Sequence, residues 1–364
     1  MRIAILANKD NSFVPSLAES LQLMLERIGV ESKIFYEGLI DIRDYQPADQ
    51  DSFVLFKKYF VKRYRDFRFY QLLSELKEFN AIVIIGHIPA AFLKGYIRDT
   101  TLRQALPETP IILYSNYYLP TRGSWIKHLK EGNISLGISE GGHYGLERYD
   151  HYLCTSVVSE YPLAKGQHPY SLIGITLDKR TLFPSHNNSF IALLDFQRTD
   201  HLEERRIQVQ ALKEAKVDFI ELEGNYSRKK IREIYRRCSI YFVAHRESFG
   251  LPICELQACG SYIFTPYSNW CPSHWIKEDL SLPGKGDLSP NFIVYNNDKE
   301  RLIQEIYRIK KDFNPYKVCK TFRKYHPQLL DGDLEALQSF IEKLSSRKIS
   351  SQSHVKYSSL SFPI

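Results

Sequence analysis

A chain of 364 residues and 42.5 kDa is long for one ordinary domain and suits two. Its composition of 43% hydrophobic, 25% charged and 13% aromatic residues, with 18 Gly and 17 Pro, excludes collagen-like, low-complexity and wholly disordered classes. No apolar run approaches the roughly 20 residues of a membrane-spanning helix, and the formal charge of 49 − 42 = +7 suits an anionic partner without choosing among nucleic acid, a phosphorylated substrate and a lipid headgroup.

The pattern predicts a strand over 2–7, too short an apolar stretch for a signal-peptide core, then an amphipathic helix over 16–29 ended by Gly29 and a strand over 31–36. This is a βαβ unit. Near-continuous apolar runs at 81–85, 110–114, 134–138 and 152–156 read as strands of a parallel sheet covered on both faces. A Pro- and Gly-rich passage over 161–184 reads as an interdomain hinge, after which strands at 190–194, 219–222 and 240–244 alternate with helices over 202–215 and 228–237. The expected fold is therefore α/β, with two Rossmann-like doubly wound domains, 1–175 and 176–344, facing each other across a cleft. Eight serines in the last twenty residues predict a flexible tail over 345–364. The six cysteines form no Cys-x-x-Cys pair, which points to reduced thiols and a cytoplasmic protein.

The segment 240–264 carries the chemistry. A strand leads into His245, Arg246 and Glu247, then Gly250, Pro252, a helix and Gly260. Gly250 permits close backbone approach, Pro252 suits a first helical turn, Gly260 can end the helix, and the unpaired N–H groups at its start form an anion seat suited to a diphosphate. Glu255, expected in the first turn, can accept hydrogen bonds from a vicinal diol such as a ribose, with Glu247 one loop earlier on the same rim.

These residues resemble the retaining glycosyltransferases of the GT-B fold, family 4 in particular, whose two glutamates are separated by seven residues, as Glu247 and Glu255 are, with Phe249, Gly250, Leu251 and Pro252 between them. The resemblance implies that Glu255 binds the nucleotide ribose, Glu247 contacts the donor sugar, and the backbone of Phe249, Gly250 and Leu251 holds the diphosphate. It also implies an Arg and a Lys against the diphosphate. Arg198 fits the first; Glu203 and Glu204 stand near the second, leaving Arg205 or Arg206 as substitutes. In the first domain the glycine-rich loop common in such enzymes is missing, with 8–12 in its place, while His87 after the strand 81–85 is a candidate to orient a donor-sugar hydroxyl or serve the acceptor. Residues 116–118 and the glycine-rich 139–148, with His143 and Tyr144, are candidate acceptor contacts. Asp331-Gly-Asp333 reads as a helix cap rather than a metal motif, so no catalytic metal and no cofactor are expected.

The function so implied is transfer of a sugar, with retention, from a nucleotide-diphosphate donor to the hydroxyl of a glycan or lipid-linked glycan. A nucleotide-sugar epimerase or phosphorylase on the same fold, or a non-catalytic scaffold, are the alternatives. Residues 53–70 carry six basic side chains against Asp66, with Phe53, Phe56, Phe60, Tyr64 and Phe67 at helical spacing, a pattern suited equally to an anionic membrane surface and to packing on the first domain. No nucleic-acid motif accompanies the charge.

Overall fold

The computed structural model describes residues 1–8, 13–37, 70–86, 102, 105–115, 149–156, 170–185, 189–247, 249–278 and 286–351. The chain divides into two compact units, one of Met1–Cys154, Tyr161–Ile173 and Leu334–Ile364, the other of Thr155–Glu160 and Gly174–Asp333.

In the first unit β1 (Arg2–Asn8), β2 (Glu31–Glu37), β3 (Ala81–Gly86), β4 (Ile111–Ser115), β5 (His151–Cys154) and β6 (Tyr170–Leu172) form one sheet in the order β2-β1-β3-β4-β5-β6. All its pairings are parallel. Burial is continuous along β1 from Ile3 to Ala7 and along all of β4, the pattern of parallel strands shielded on both faces. Helix α1 (Val14–Arg27) buries Val14, Leu17, Ala18, Leu21, Met24 and Leu25 at helical spacing; its first turn contains Pro15, and Gly29 follows its C-cap at φ 73°. On β5, His151 is buried, bonded through Nε2 to Ser171 Oγ at 2.9 Å and stacked on Phe340 at 5.2 Å between centroids. Burial, then the nearby Lys343, lower its pKa to about 4.

The second unit contains β7 (Ile191–Leu194), α2 (Leu202–Glu214), β8 (Asp218–Glu221), α3 (Arg228–Arg237), β9 (Ile240–Phe242), α4 (Leu251–Cys259), β10 (Tyr262–Thr265), the hairpin β11 (Trp275–Glu278) and β12 (Gly286–Leu288), β13 (Phe292–Val294), α5 (Lys299–Lys311) and α6 (Pro315–Tyr325). Its five-stranded sheet runs β13-β10-β9-β7-β8, again all parallel. Ala192, Leu194, Phe242 and Phe264 of the strands pack with Ala211, Leu212, Leu302 and Ile306 of α2 and α5.

The structure differs from the sequence reading at three places. Strand β6 lies inside the passage read as a hinge; three residues with two half-buried side chains give too weak an apolar signal to stand out among prolines and glycines. Helix α7 (Leu334–Ser345) groups with the first unit, where it packs on α1 and β6 through Leu337, Phe340, Ile341 and Leu344, although the second domain was read as running to 344. Its amphipathic pattern is the same whichever sheet it covers. The chain continues past Ser345 with the amides of 346–349 hydrogen-bonded and Ile349 buried, so 345–351 is not the flexible stretch expected there. Residues 352–364 and the strand expected at 134–138 lie outside the described residues.

Both sheets place their first strand between the second and third. Successive crossovers therefore leave β1 and β7 in opposite directions, opening a crevice beyond the C-terminal ends of β1 and β3 and of β7 and β9. In the first unit the loops there, 9–12 and the one beginning at His87, lie outside the described residues.

Candidate functional site

In the second unit the crevice is lined by two described loops. Strand β7 ends in Asp195 and leads to Arg198; β9 leads through His245 to Glu247 and α4. His245 Nε2 stands 3.1 Å from Glu247 Oε2 and 3.4 Å from Arg198 Nη2, so the imidazole lies between the two loops, its one nitrogen either donating to the carboxylate or accepting from the guanidinium. The Glu247 amide donates to Trp270 C=O at 2.8 Å, which holds the loop from behind. Asp195 is a missed member of this group. Burial raises its pKa, opposed by hydrogen bonds from the Phe196 amide and Tyr241 and by the charge of His245, while Glu247 acts in the same sense as burial.

Gly250 is the N-cap of α4 at φ 60°. A Cβ there would stand 2.6 Å from Ile253 Cδ1 and 2.8 Å from Glu247 Cγ, so glycine allows both the left-handed turn and the approach of Glu247. The first helical bond of α4 runs from the Cys254 amide to Gly250 C=O at 3.1 Å, and Pro252 has no N–H. The amides of Gly250, Leu251 and Ile253 thus precede the intrahelical ladder, where the helix dipole favours an anion. Phe249 is buried, so the loop offers its backbone there rather than its ring.

Glu255 lies beyond the first turn in which the sequence reading placed it, since α4 starts only at Leu251. From there it points at α3. Its Oε1 accepts from Arg232 Nη2 at 2.9 Å and Nε at 3.3 Å, both residues being buried, and Arg232 Nη1 donates to Thr181 Oγ1 at 2.8 Å. Both glutamate bonds fall on Oε1, which leaves Oε2 outside the pair. Burial raises the Glu255 pKa against the opposing effects of Arg232 and Arg228. Arg232 was masked in the sequence by the basic run around it.

The two arginines considered as substitutes for a lysine are both engaged. Arg205 is buried, donates from Nη2 to the Asp195 carbonyl and holds Nη1 4.0 Å from Glu221 Oε2, and burial lowers its pKa. It braces the ends of β7 and β8. Arg206 forks onto Glu203 at 2.8 and 2.5 Å on an exposed face, the i,i+3 pairing of a solvated helix. Asp331 is ion-paired with Lys179 and with Arg323. His87, 116–118 and 139–148 lie outside the described residues, and no cluster of metal-ligating side chains occurs among the described ones. His245 and Asp195 were legible in principle, as polar residues ending apolar strands at a switch point; the strand order was needed to give them meaning.

No protein-family profile and no curated protein sequence matches the chain. Among solved structures it is similar to the UDP-GlcNAc 2-epimerase of Neisseria meningitidis bound to UDP-GlcNAc, with TM-score 0.54 and 10% identity over 95% of this chain and 100% of that one. A second UDP-N-acetylglucosamine 2-epimerase gives TM-score 0.53 at 10% identity over 95% of each chain. The calicheamicin glycosyltransferase CalG4 gives 0.49 at 13% over 95% and 99%. The two overlays above 0.5 show the fold: an α/β chain of two Rossmann-like units. Among the described residues no helix is long and apolar enough to cross a membrane.

Proposed function

We propose that the second unit binds the diphosphate and ribose of a nucleotide sugar and that the chain transfers the sugar, with retention, to a hydroxyl of a glycan or lipid-linked glycan. The observation carrying this reading is the convergence of Arg198, His245 and Glu247 beside a glycine-capped helix start at a topological switch point. Arg198 and the first amides of α4 would take the negative charge that grows as the diphosphate departs. Glu247, fixed by His245 and by its own amide, faces the sugar; Glu255 Oε2, with the carboxylate held by Arg232, receives the ribose diol. The departing phosphate accepts the proton of the attacking hydroxyl. The protein works in the cytoplasm.

Titration calorimetry with UDP, GDP and TDP tests the reading. One of the three is expected to bind, Glu247→Ala to spare that binding while abolishing sugar transfer, and Glu255→Gln to weaken it by about 1.5 to 3 kcal/mol. Absence of binding at millimolar nucleotide removes the reading and leaves a scaffold. A second reading, epimerisation of the donor sugar without an acceptor, takes its support from the overlays with the 2-epimerases. Conversion of UDP-GlcNAc to an isomer with no acceptor added separates it from transfer.

A further inference from the structure

Behind the α4 loop lie two buried histidines that the proposed chemistry does not use. His274, 0% exposed, stands with Nε2 2.8 Å from Phe249 C=O. A carbonyl only accepts, so Nε2 carries the proton. Among the described residues Nδ1 of His274 has no hydrogen-bond partner, and the same holds for Nε2 of His326, whose ring packs edge-on to His274 at 5.4 Å between centroids. His326 closes α6 as its C-cap and hydrogen-bonds the main chain of His274. Burial keeps both rings neutral, lowering their pKa values to about 3 for His274 and about 4 for His326. Phe292 flanks His274 and Phe322 flanks His326, so the surroundings are otherwise aromatic.

A phenylalanine at 274 would fill this apolar space without an orphaned ring nitrogen. What histidine adds is the one bond to Phe249 C=O. The peptide between Phe249 and Gly250 is planar and trans, so its C=O and N–H point in opposite directions. Drawing the carbonyl toward His274 therefore turns the Gly250 N–H away from the buried side. The neighbouring tie, from the Glu247 amide to Trp270 C=O, secures the other end of the same loop to the same 270–274 segment.

We propose that His274, supported by His326, is a positioning residue that sets the Phe249–Gly250 peptide plane and thereby the α4 amides that face the diphosphate. The proposal rests on the reading that the start of α4 receives a nucleoside diphosphate, but its first test does not need that nucleotide. Amide hydrogen exchange of the full chain is compared for wild type, His274→Phe and His274→Gln, with the Cys254 and Glu247 amides as probes. In His274→Phe both are expected to exchange at least tenfold faster, with amides of α2 and α5 unchanged; His274→Gln, which keeps a side-chain N–H donor, restores slow exchange. Equal exchange in wild type and His274→Phe, or a Gln variant no slower than Phe, overturns the proposal. If His274→Phe does not fold, His326→Phe takes its place: faster exchange confined to the same probes supports the strut, and an unchanged pattern overturns it. Titrations with whichever of UDP, GDP and TDP the wild type binds, and with its monophosphate, then give the functional readout, a fall of at least tenfold in the diphosphate-to-monophosphate affinity ratio for His274→Phe, recovered in His274→Gln. A ratio unmoved in the Phe variant overturns the positioning role. Wild type that binds none of UDP, GDP and TDP refutes the nucleotide reading, while the exchange data still decide whether His274 holds the loop.

Discussion

The two units share a strand order around their first strand, yet among the described residues their charges are placed differently. In the first unit Arg2 pairs with Glu31 at 2.9 Å and with Glu78 at 3.1 Å, all exposed, at the N-terminal end of β1. The buried Asp150 caps the first amide of β4, from Ile111, at 2.7 Å, again at an N-terminal end. In the second unit the buried guanidiniums are Arg205, which donates to the Asp195 main-chain carbonyl just past β7, and Arg232, paired with the buried Glu255 of the helix that follows β9. Exposed pairs contribute little to stability, and burying an ion pair costs desolvation that an apolar pair would not. Charges tolerated at that cost, on the side where open α/β sheets bind ligands, are explained by what they hold in place.

Breaking the buried pair is the largest test of that contrast. Glu255→Ala or Arg232→Ala strands one buried charge and is expected to destabilise by about 3 to 5 kcal/mol in urea unfolding. Arg2→Ala, at the exposed pairs of the first unit, is expected to leave the unfolding midpoint at its wild-type value. The double change Glu255→Leu with Arg232→Met should recover most of the stability and still bind no nucleotide. Recovery of both would make the pair a structural feature like those of the first unit.

How much of this was legible follows from local and non-local causes. Strands β1 to β5 and β7 to β9, α1, α3 and the glycine-capped turn at Gly250 follow from neighbouring residues: apolar runs, 3.6-residue periodicity, and a glycine required at φ 60°. The placement of α7 depends on a sheet far away in sequence, and the Arg232–Glu255 pair joins residues 23 apart on two helices. Glu255 read as a first-turn carboxylate open to a ribose diol for the same reason: its pairing with Arg232 comes from α3, not from its own turn. His274 was invisible because its partner is a main-chain carbonyl, which leaves no trace in side-chain spacing.

Buried histidines sharpen the comparison through pH. His151 of the first unit has its pKa lowered to about 4, chiefly by burial, from an unfolded value near 6.5. As pH falls below 6.5 the unfolded chain takes up this proton first, so stability is lost by about 1.4 kcal/mol per unit until about pH 4, and no further. His151→Gln lacks this group, and its stability relative to wild type is expected to improve along that slope in urea titrations from pH 7 to 4. A difference that does not change with pH would mean the ring is protonated or solvated in the fold.

At the crevice itself, Arg198→Ala should weaken a nucleoside diphosphate by about 1.5 to 3 kcal/mol, the range for hydrogen bonds to charged groups, and the monophosphate far less. The distinction matters because Arg198 also contacts His245. Equal losses for the two ligands would assign Arg198 to holding that imidazole rather than to the terminal phosphate.

The smallest expected effect concerns the first unit, whose described charges have no ligand to explain them. Residues 53–70 carry +6 − 1 = +5, and 53–69 lie outside the described residues. If these bases serve a lipid-linked acceptor, each contributes about 1 kcal/mol or less near an anionic surface, and the attraction fades with salt. Sedimentation with anionic vesicles should then exceed that with neutral ones at low ionic strength, and changing Lys57, Lys58, Lys62 and Arg63 together to Ser should remove most of the difference. Equal sedimentation with both vesicle types, or an unchanged preference in the variant, leaves the five aromatic residues at helical spacing, Phe53, Phe56, Phe60, Tyr64 and Phe67, as packing for the first unit and the bases as its solvated face. The functional charge of the chain would then lie in the second unit, where buried carboxylates and guanidiniums converge at strand ends.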